Sequence, residues 1–451
     1  MTARTTDGVL RPVAPGGSSP TPPRSDGQSR VPGRTRLPAH RRPFRRRELL
    51  VRVAGMTLDD ATIRDLLDFE DEGGVLSFYV GITPDRAADP QPTAPLELRQ
   101  RIKALKADLE QRDADLARRV ASRIDALDGE LARLTDAHAH GRGRALFVGV
   151  DSGRTESISL QIPFADRVVH HDGAFVRPLV AALDEGRPAG IVDISRDDVR
   201  LLSWSIGEVT ELETRRFEVE DDVMARGKDA PVAHGAGYSG TGRQDRDDFE
   251  ARLDDNLHRF LRGVVDDVAK LTQAHGWDRV IVAGTPKVRE DVVGMLEKVE
   301  LQGAHVLLAE EVFASSAPHL VAERVWPLLR SVHLEREAAL VDLTVERALG
   351  GQQAAVGLRK VCDALNEGRV MHLLYAADLQ AQGYRSNEGT LHPRVEGVMA
   401  ESDEIAMQRE PLFVERMIEK AVATSAVVTP VAHEVAGPLQ EHEGIGALLR
   451  W

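Results

Sequence analysis

The chain has 451 residues and a formal net charge of −14 at neutral pH, a length that suits about three domains of ordinary size. Residues 1–55 contain twelve Arg and three acidic residues, a net charge of +9, so the other 396 residues carry −23. An acidic body excludes a generally basic nucleic-acid-binding protein, although a local basic patch stays open. The single cysteine, Cys362, excludes a disulfide scaffold and a cysteine-built zinc site. No apolar run suits a membrane span, so we expect a cytoplasmic protein.

Residues 1–55 are rich in Arg and hold eight of the 23 prolines. They contain too few large apolar residues to offset the loss of chain entropy, so we expect a disordered Arg/Pro-rich extension. Three interpretations stay open: a basic tail that contacts RNA phosphates, a targeting peptide, or a misplaced start codon with Met56 as the true initiator. Composition favours the misplaced start.

Residues 56–186 are predicted to form an N-terminal α/β domain with a helical hairpin. The apolar run at 75–80 predicts a buried strand. From Leu98 to Leu134 apolar residues recur at spacings of three and four, which predicts two packed antiparallel helices or one hairpin arm. Further strands are predicted at 145–150 and 158–162, followed by a helix at 175–183.

Residues 187–312 are predicted to form a middle α/β domain. Strands are predicted from Gly190, at 198–204 and at 208–213. A polar, Gly-rich loop then runs from about 225 to 244, ahead of a long amphipathic helix whose first turn is suited by Asp245, Asp247 and Asp248. That helix is predicted to end near Gly276. A buried strand at 279–283, a helix opened by Pro286 and a strand at 305–308 follow.

Residues 313–348 are predicted to be a helical connection, and residues 349–451 a C-terminal α/β domain. Within the latter, a helix at 358–365 precedes a turn at Gly368 and a buried strand at 371–375. A helix at 412–422 and a strand at 426–431 follow.

Few residues offer catalytic chemistry. Cys362 lies within a predicted helix, where core packing is the favoured role. For the pairs His138 and His140, and His170 and His171, a solvated loop is favoured over metal ligation. No metal site and no cofactor are predicted. One acidic alternative remains: Asp193 opens a strand where, in a ribonuclease H-like sheet, carboxylates hold two magnesium ions for nucleotide hydrolysis.

Two segments near the C-terminus carry a family resemblance. The first is the run 355–370 with the strand His372-Leu373-Leu374-Tyr375, and the second is the ending Gly444-Ile445-Gly446-Ala447-Leu448-Leu449-Arg450-Trp451. Both resemble the C-terminal domain of archaeal and eukaryotic class-1 release factors and Pelota. The order of the other units agrees, and bacterial, actinobacterial-type release-factor-like proteins related to the hibernation factor Balon are the nearest group.

This resemblance implies an α/β protein with a three-domain release-factor/Pelota-like architecture. The middle domain would be RNase H-like and the C-terminal domain an α/β/α sandwich related to ribosomal proteins. The elements with which the family reads stop codons are missing from the first domain, so decoding is unsupported.

The resemblance also places the candidate site in the middle-domain loop. Release factors carry a Gly-Gly-Gln tripeptide there, and this loop has Gly240-Thr241-Gly242-Arg243-Gln244 instead. Gly350-Gly351-Gln352 lies in the wrong domain and is predicted to be a turn into a strand. Gln244 is the tentative catalytic residue, and the loop residues expected near the peptidyl-transferase centre are Arg226, Lys228, Tyr238, Gly240, Gly242, Arg243, Gln244 and Arg246.

The leading hypothesis is a non-decoding factor that occupies the ribosomal A site in hibernation or stress. Its partners would be the 70S ribosome, through rRNA, and a translational GTPase such as elongation factor Tu, without membrane or DNA. Two enzymatic alternatives stay open: peptidyl-tRNA hydrolysis, in which Gln244 orients the water, and a metal-dependent nuclease built around Asp193.

Overall fold

The computed structural model describes residues 58–83, 93–195, 198–217, 241–313, 316–393 and 407–451, with the backbone alone for 241–253. The extension at 1–55 and Met56 therefore lie outside the described residues. Across the described residues, no helix combines the length and apolar character needed to cross a bilayer.

The N-terminal sheet is a four-stranded antiparallel sheet in the order β3-β2-β1-β4. Its strands and the helices around it are α1 (Asp60–Leu67), β1 (Val75–Gly81), α2 (Ala94–Arg112), α3 (Ala114–Asp125), α4 (Asp128–Thr135), β2 (Gly143–Gly149), β3 (Thr155–Leu160), β4 (Arg167–His171) and α5 (Arg177–Glu185). Side chains alternate across β1: Leu76 and Phe78 pack under α2 to α4, whereas Val75 and Tyr79 face α1 and α5. The helical hairpin is confirmed as α2 and α3, which Lys106 and Asp125 connect.

The middle sheet has five strands in the order β7-β6-β5-β8-β9, and only β6 runs antiparallel to the rest. Its elements are β5 (Ala189–Ile194), β6 (Asp198–Ser205), β7 (Glu208–Arg216), α6 (Thr241–His275), β8 (Arg279–Gly284), α7 (Pro286–Leu296) and β9 (His305–Leu308). This strand order and these directions are the RNase H-like arrangement. One face packs against α6 and α7, and the other against the first half of α8 (Pro318–Leu349).

The C-terminal part holds a four-stranded sheet in the order β10-β16-β11-β15 and a small three-stranded sheet in the order β13-β12-β14. Its elements are β10 (Ala354–Val356), α9 (Leu358–Asn366), β11 (Val370–Ala376), β12 (Gly383–Ser386), β13 (Leu391–Pro393), β14 (Met407–Glu410), α10 (Phe413–Ala423), β15 (Val427–Val431), α11 (Gly437–Gln440) and β16 (Ile445–Leu449). Along β11, Leu373 and Tyr375 face α9 and α10, whereas Leu374 and Ala376 face α8 and α11. Helices therefore cover both faces, as an α/β/α sandwich requires.

The apolar core joins segments that are far apart in the sequence. A single cluster joins the α1 and α5 face of the N-terminal sheet to the α9 and α10 face of the C-terminal sheet, with Phe69 and Phe413 both fully buried in it. Helix α8 then runs from the middle sheet to the opposite face of the C-terminal sheet. The predicted α/β class is confirmed, while the division into domains at 187, 313 and 349 stays a prediction.

Candidate functional site

The candidate site is the connection between β7 and α6, and the end of β7 packs against the middle of that helix. The ring of Phe217, just after β7, lies 5.5 Å from the ring of Phe260 on α6. Arg215 of β7 forms an ion pair with Asp267, two helical turns further along α6 than Phe260, and its Nε lies 2.8 Å from Glu213 Oε1. These contacts hold the end of β7 against the middle of α6, nineteen residues after that helix begins at Thr241.

Four of the candidate site residues lie in a helix, which corrects the prediction that the loop extends to Arg246. Helix α6 begins at Thr241, so Gly242, Arg243, Gln244 and Arg246 belong to its first turns. The aspartates at 245, 247 and 248, which were predicted for the first turn, lie in the second turn instead, and the first turn contains no acidic residue. Their side chains, like the whole of Arg226, Lys228, Tyr238 and Gly240, lie outside the described residues.

Asp193 lies on β5, as predicted, but it is engaged in a buried ion pair. It pairs across the sheet with Arg200 of β6, whose Nε lies 3.2 Å from Asp193 Oδ2, and the side chains are 2% and 9% exposed. Burial raises the pKa of Asp193, while the guanidinium of Arg200 opposes that shift. The guanidinium of Arg200 already neutralises this carboxylate, which argues against the magnesium-dependent nuclease.

Gly350-Gly351-Gln352 forms the turn that ends α8 and leads into β10. Gly350 is the C-cap residue, and Gly351 has φ of +68°, the left-handed conformation with which helices commonly end. The amide of Gln352 donates a hydrogen bond to Arg347 O at 2.9 Å. The structural role predicted for this tripeptide is confirmed.

The histidine pairs behave differently from one another. His138 and His140 are exposed between α4 and β2, as predicted. His170 and His171, predicted to lie in a solvated loop, instead lie in β4, where His170 binds Gly73 O and His171 is 7% exposed. The prediction was wrong because β4 is a strand packed on β1 and covered by the C-terminal part.

Cys362 is buried in α9, and its Sγ lies 4.0 Å from Met417 Sδ. Burial raises the pKa of its thiol to about 12. The predicted packing role is confirmed.

A second polar cluster, which the sequence analysis did not predict, lies where α5, α8 and the C-terminal part meet. Asp184, His333 and Glu337 each offer one ligand atom, and these three atoms lie within 4.8 Å of one another. One signal could have drawn attention to it: His333 and Glu337 are four residues apart in a predicted helix and so share a face. Asp184, 149 positions earlier, gives no such signal.

The fold and the site define an α/β protein with an RNase H-like middle sheet and a connection from β7 to the longest described helix. Residues 175–322 match the model of Bacterial archaeo-eukaryotic release factor family 10. This match spans α5, the whole middle sheet and the start of α8. The release-factor resemblance predicted from the sequence is therefore confirmed over this segment, which is similar to that family.

Solved structures are similar to this chain only at low sequence identity and low TM-score. An archaeal translation termination factor, aRF1, is 16% identical and covers 87% of this chain and 96% of its own, with a TM-score of 0.22. Archaeal Pelota, from a model of ribosome-bound Pelota and ABCE1, is 18% identical over 68% and 77%, with a TM-score of 0.38. Archaeoglobus fulgidus Pelota is 17% identical over 68% and 79%, with a TM-score of 0.32. These scores support no residue correspondences, and no curated protein sequence matches the chain.

Proposed function

We propose that the protein is a ribosome-binding translation factor that occupies the A site without decoding a stop codon, in hibernation or stress. The observation that carries the proposal is the match of residues 175–322 to a release-factor family, because that segment contains the whole β7–α6 connection. In this proposal the connection approaches the peptidyl-transferase centre, and the C-terminal part faces a translational GTPase.

A local basic stretch, which begins inside the connection and ends in the first turns of α6, supports contact with RNA. The sequence from 225 to 246 holds four basic and two acidic residues, in a body that is otherwise strongly acidic. Lys and Arg side chains that neutralise phosphates supply most of the sequence-independent affinity for nucleic acid. The whole connection at 218–240 holds five acidic and two basic residues, so the proposed rRNA contact is confined to the local basic stretch that begins at Arg226.

The helical start at Thr241 supports occupancy over catalysis. A glutamine that orients a water against an ester needs to be presented by mobile, exposed backbone. Gln244 instead lies in the first turns of α6, and Arg243 precedes it where release factors have glycine. Peptidyl-tRNA hydrolysis is thus the less favoured activity of the same site.

Ribosome binding is tested by co-sedimentation with 70S particles across a salt series. We expect wild-type protein to sediment with ribosomes and the double variant Arg226→Glu, Lys228→Glu to bind more weakly. Each lost phosphate contact lowers the slope of log affinity against log salt by about one, so the slope should fall by about two.

The matched control reverses the same amount of charge on the same part of the chain. Lys287 at the start of α7 and Lys298 just after it are both exposed, so Lys287→Glu, Lys298→Glu should keep the wild-type slope. Equal weakening by the two double variants would show nonspecific attraction only. No sedimentation of wild-type protein at low salt would overturn the proposal.

Hydrolysis is tested separately on ribosomes stalled with peptidyl-tRNA. We expect release to stay at background for both wild-type protein and Gln244→Ala. Release by the wild type that Gln244→Ala abolishes would replace occupancy with the hydrolytic alternative.

A further inference from the structure

We propose that Asp184, His333 and Glu337 form a binding site for a divalent transition-metal ion of the Zn²⁺ class. Asp184 lies in the last turn of α5, and His333 and Glu337 lie one turn apart on α8. A nitrogen and two carboxylate oxygens within 4.8 Å of one another require only small movements to reach metal–ligand distances of about 2 Å. This proposal departs from the sequence expectation of no metal site.

The three side chains are withdrawn from water. Asp184 is 5% exposed, His333 9% and Glu337 1%. Carboxylates are rarely buried to this extent unless they are paired or coordinate a metal. The contacts of each carboxylate therefore decide whether the cluster has capacity left for an ion.

Within the part of the chain that the structure describes, each carboxylate contacts groups outside the cluster through one oxygen only. Asp184 Oδ1 accepts hydrogen bonds from Arg187 and from Arg336 Nη2, the latter at 2.7 Å. Glu337 Oε2 accepts from the amide of Ala432 at 2.9 Å. Among the described residues, Asp184 Oδ2 is buried without a hydrogen-bond partner, and Glu337 Oε1 lies 2.9 Å from His333 Nε2. Partners that fix one oxygen and leave the other for the ion are the usual outer contacts of metal ligands.

The local charge favours a cation. Arg330 is shared between Glu185 and Glu434, at 3.3 and 3.0 Å. With Asp184 and Glu337, the neighbourhood then contains four carboxylates against three guanidinium groups, those of Arg187, Arg330 and Arg336. His372, also nearby, has its pKa lowered to about 4 by burial and adds no positive charge at neutral pH.

The donor set selects the ion. One imidazole nitrogen and two carboxylate oxygens suit Zn²⁺ in tetrahedral geometry with water as fourth ligand, whereas Ca²⁺ and Mg²⁺ prefer six or more oxygen ligands. The ion would fasten α5 to α8, while the Glu337 contact to Ala432 connects that pair to the end of β15. Its binding would stabilise the junction of the N-terminal, middle and C-terminal parts.

The test compares full-length wild-type protein with His333→Gln and Glu337→Gln after chelator treatment and dialysis. Titration calorimetry with Zn²⁺ should show one equivalent in the wild type that each variant binds at least tenfold more weakly. Zn²⁺ should raise the melting temperature of the wild type but not of either variant. Co²⁺ should give the wild type the absorption bands of a tetrahedral site, a signature that a purely structural histidine would not produce.

The matched control is His171→Gln, which removes another buried histidine in contact with a glutamate, Glu410, far from α8 in the chain. It should keep the wild-type stoichiometry and Co²⁺ spectrum. Equal Zn²⁺ stoichiometry in wild type and His333→Gln would overturn the proposal. Where a variant fails to fold, the wild-type Co²⁺ spectrum decides, and the absence of tetrahedral bands would also overturn it.

Discussion

Glu410, at the end of β14, contacts basic side chains of both the N-terminal sheet and the C-terminal part. Its carboxylate lies 3.4 Å from His171 Nε2 and 2.9 Å from Arg416 Nε. Burial alone would raise its pKa, but the hydrogen bonds from His171 and Arg416 outweigh burial and lower it to about 2. The ionised form is therefore stabilised by the fold.

Replacement of Glu410 by Gln should make the protein less stable in a pH-dependent way. A carboxyl whose pKa falls from about 4.5 to about 2 on folding contributes its full stabilisation above pH 4.5 and loses it as pH falls towards 2. We expect Glu410→Gln to lower the free energy of unfolding by about 3 kcal/mol at pH 7 and by much less near pH 2. Urea unfolding across this pH range measures the difference, and a constant difference would contradict the assignment. Glu300→Gln, at an exposed position, should change stability by less than about 0.5 kcal/mol.

The thiol of Cys362 should not react with alkylating agents in the folded protein. With a thiol pKa of about 12, only about one molecule in ten thousand carries a thiolate at pH 8. Intact-mass measurement after iodoacetamide treatment at pH 8 should show no adduct on the native protein and one adduct in denaturant, since the chain has a single cysteine. Rapid native alkylation would contradict the packing role.

At the scale of elements, the middle sheet depends on a close approach between β5 and the end of α6. Gly190 lies on β5, and a β-carbon there would overlap the ring of Trp277. The indole nitrogen of Trp277 donates to Ser203 Oγ at 3.0 Å, which fixes the ring in place. A glycine inside a strand commonly marks such an approach.

Gly190→Ala should therefore destabilise the protein by about 1–3 kcal/mol, because the ring cannot move without loss of its hydrogen bond. Gly294→Ala is the matched control, since its β-carbon in α7 would meet no described atom within 4 Å. Alanine in a helix interior should raise stability there by about 0.5–1 kcal/mol. Thermal unfolding of the two variants should show shifts of opposite sign, and shifts of the same sign would contradict the packing described.

The sequence predicted elements whose pattern is local. The strand at 305–308 and the helix opened by Pro286 were correct, because apolar runs and proline act within a few residues. Strands β4, β12, β13 and β14 were missed, because they are short and rich in polar residues such as Arg385 and His392. The Asp193–Arg200 pair depends on strand register, and the approach of Asp184 to α8 on tertiary packing, neither of which a local pattern encodes.

At the scale of the whole molecule, the N-terminal and C-terminal parts share one apolar cluster and a set of ion pairs. Arg177 of α5 makes several of the contacts between the two parts. It donates to Leu379 O at 3.0 Å and to Ala377 O at 2.6 Å, and it pairs with Glu415 at 3.1 Å. Both side chains of this ion pair are largely buried, so the pair belongs to the junction interior.

Arg177→Met should weaken this junction strongly. Glu415 would stay buried without its partner, a change that typically costs 3–5 kcal/mol. Calorimetry should show a lower melting temperature and a separate unfolding transition for the C-terminal part. Arg142→Met is the matched control, because its ion pair with Glu323 connects the N-terminal sheet to α8 but is about half exposed. It should cost less than about 1 kcal/mol, and equal losses would contradict the role of Arg177.

The central claim, that the protein occupies the ribosomal A site, is tested most directly by a cryo-electron-microscopy map of purified 70S ribosomes mixed with the full-length protein. We expect density for the N-terminal, middle and C-terminal parts in the A site, with the segment 218–240 extending towards the peptidyl-transferase centre. Density at another ribosomal site, or an A site without the factor under conditions where the protein co-sediments, would contradict the account.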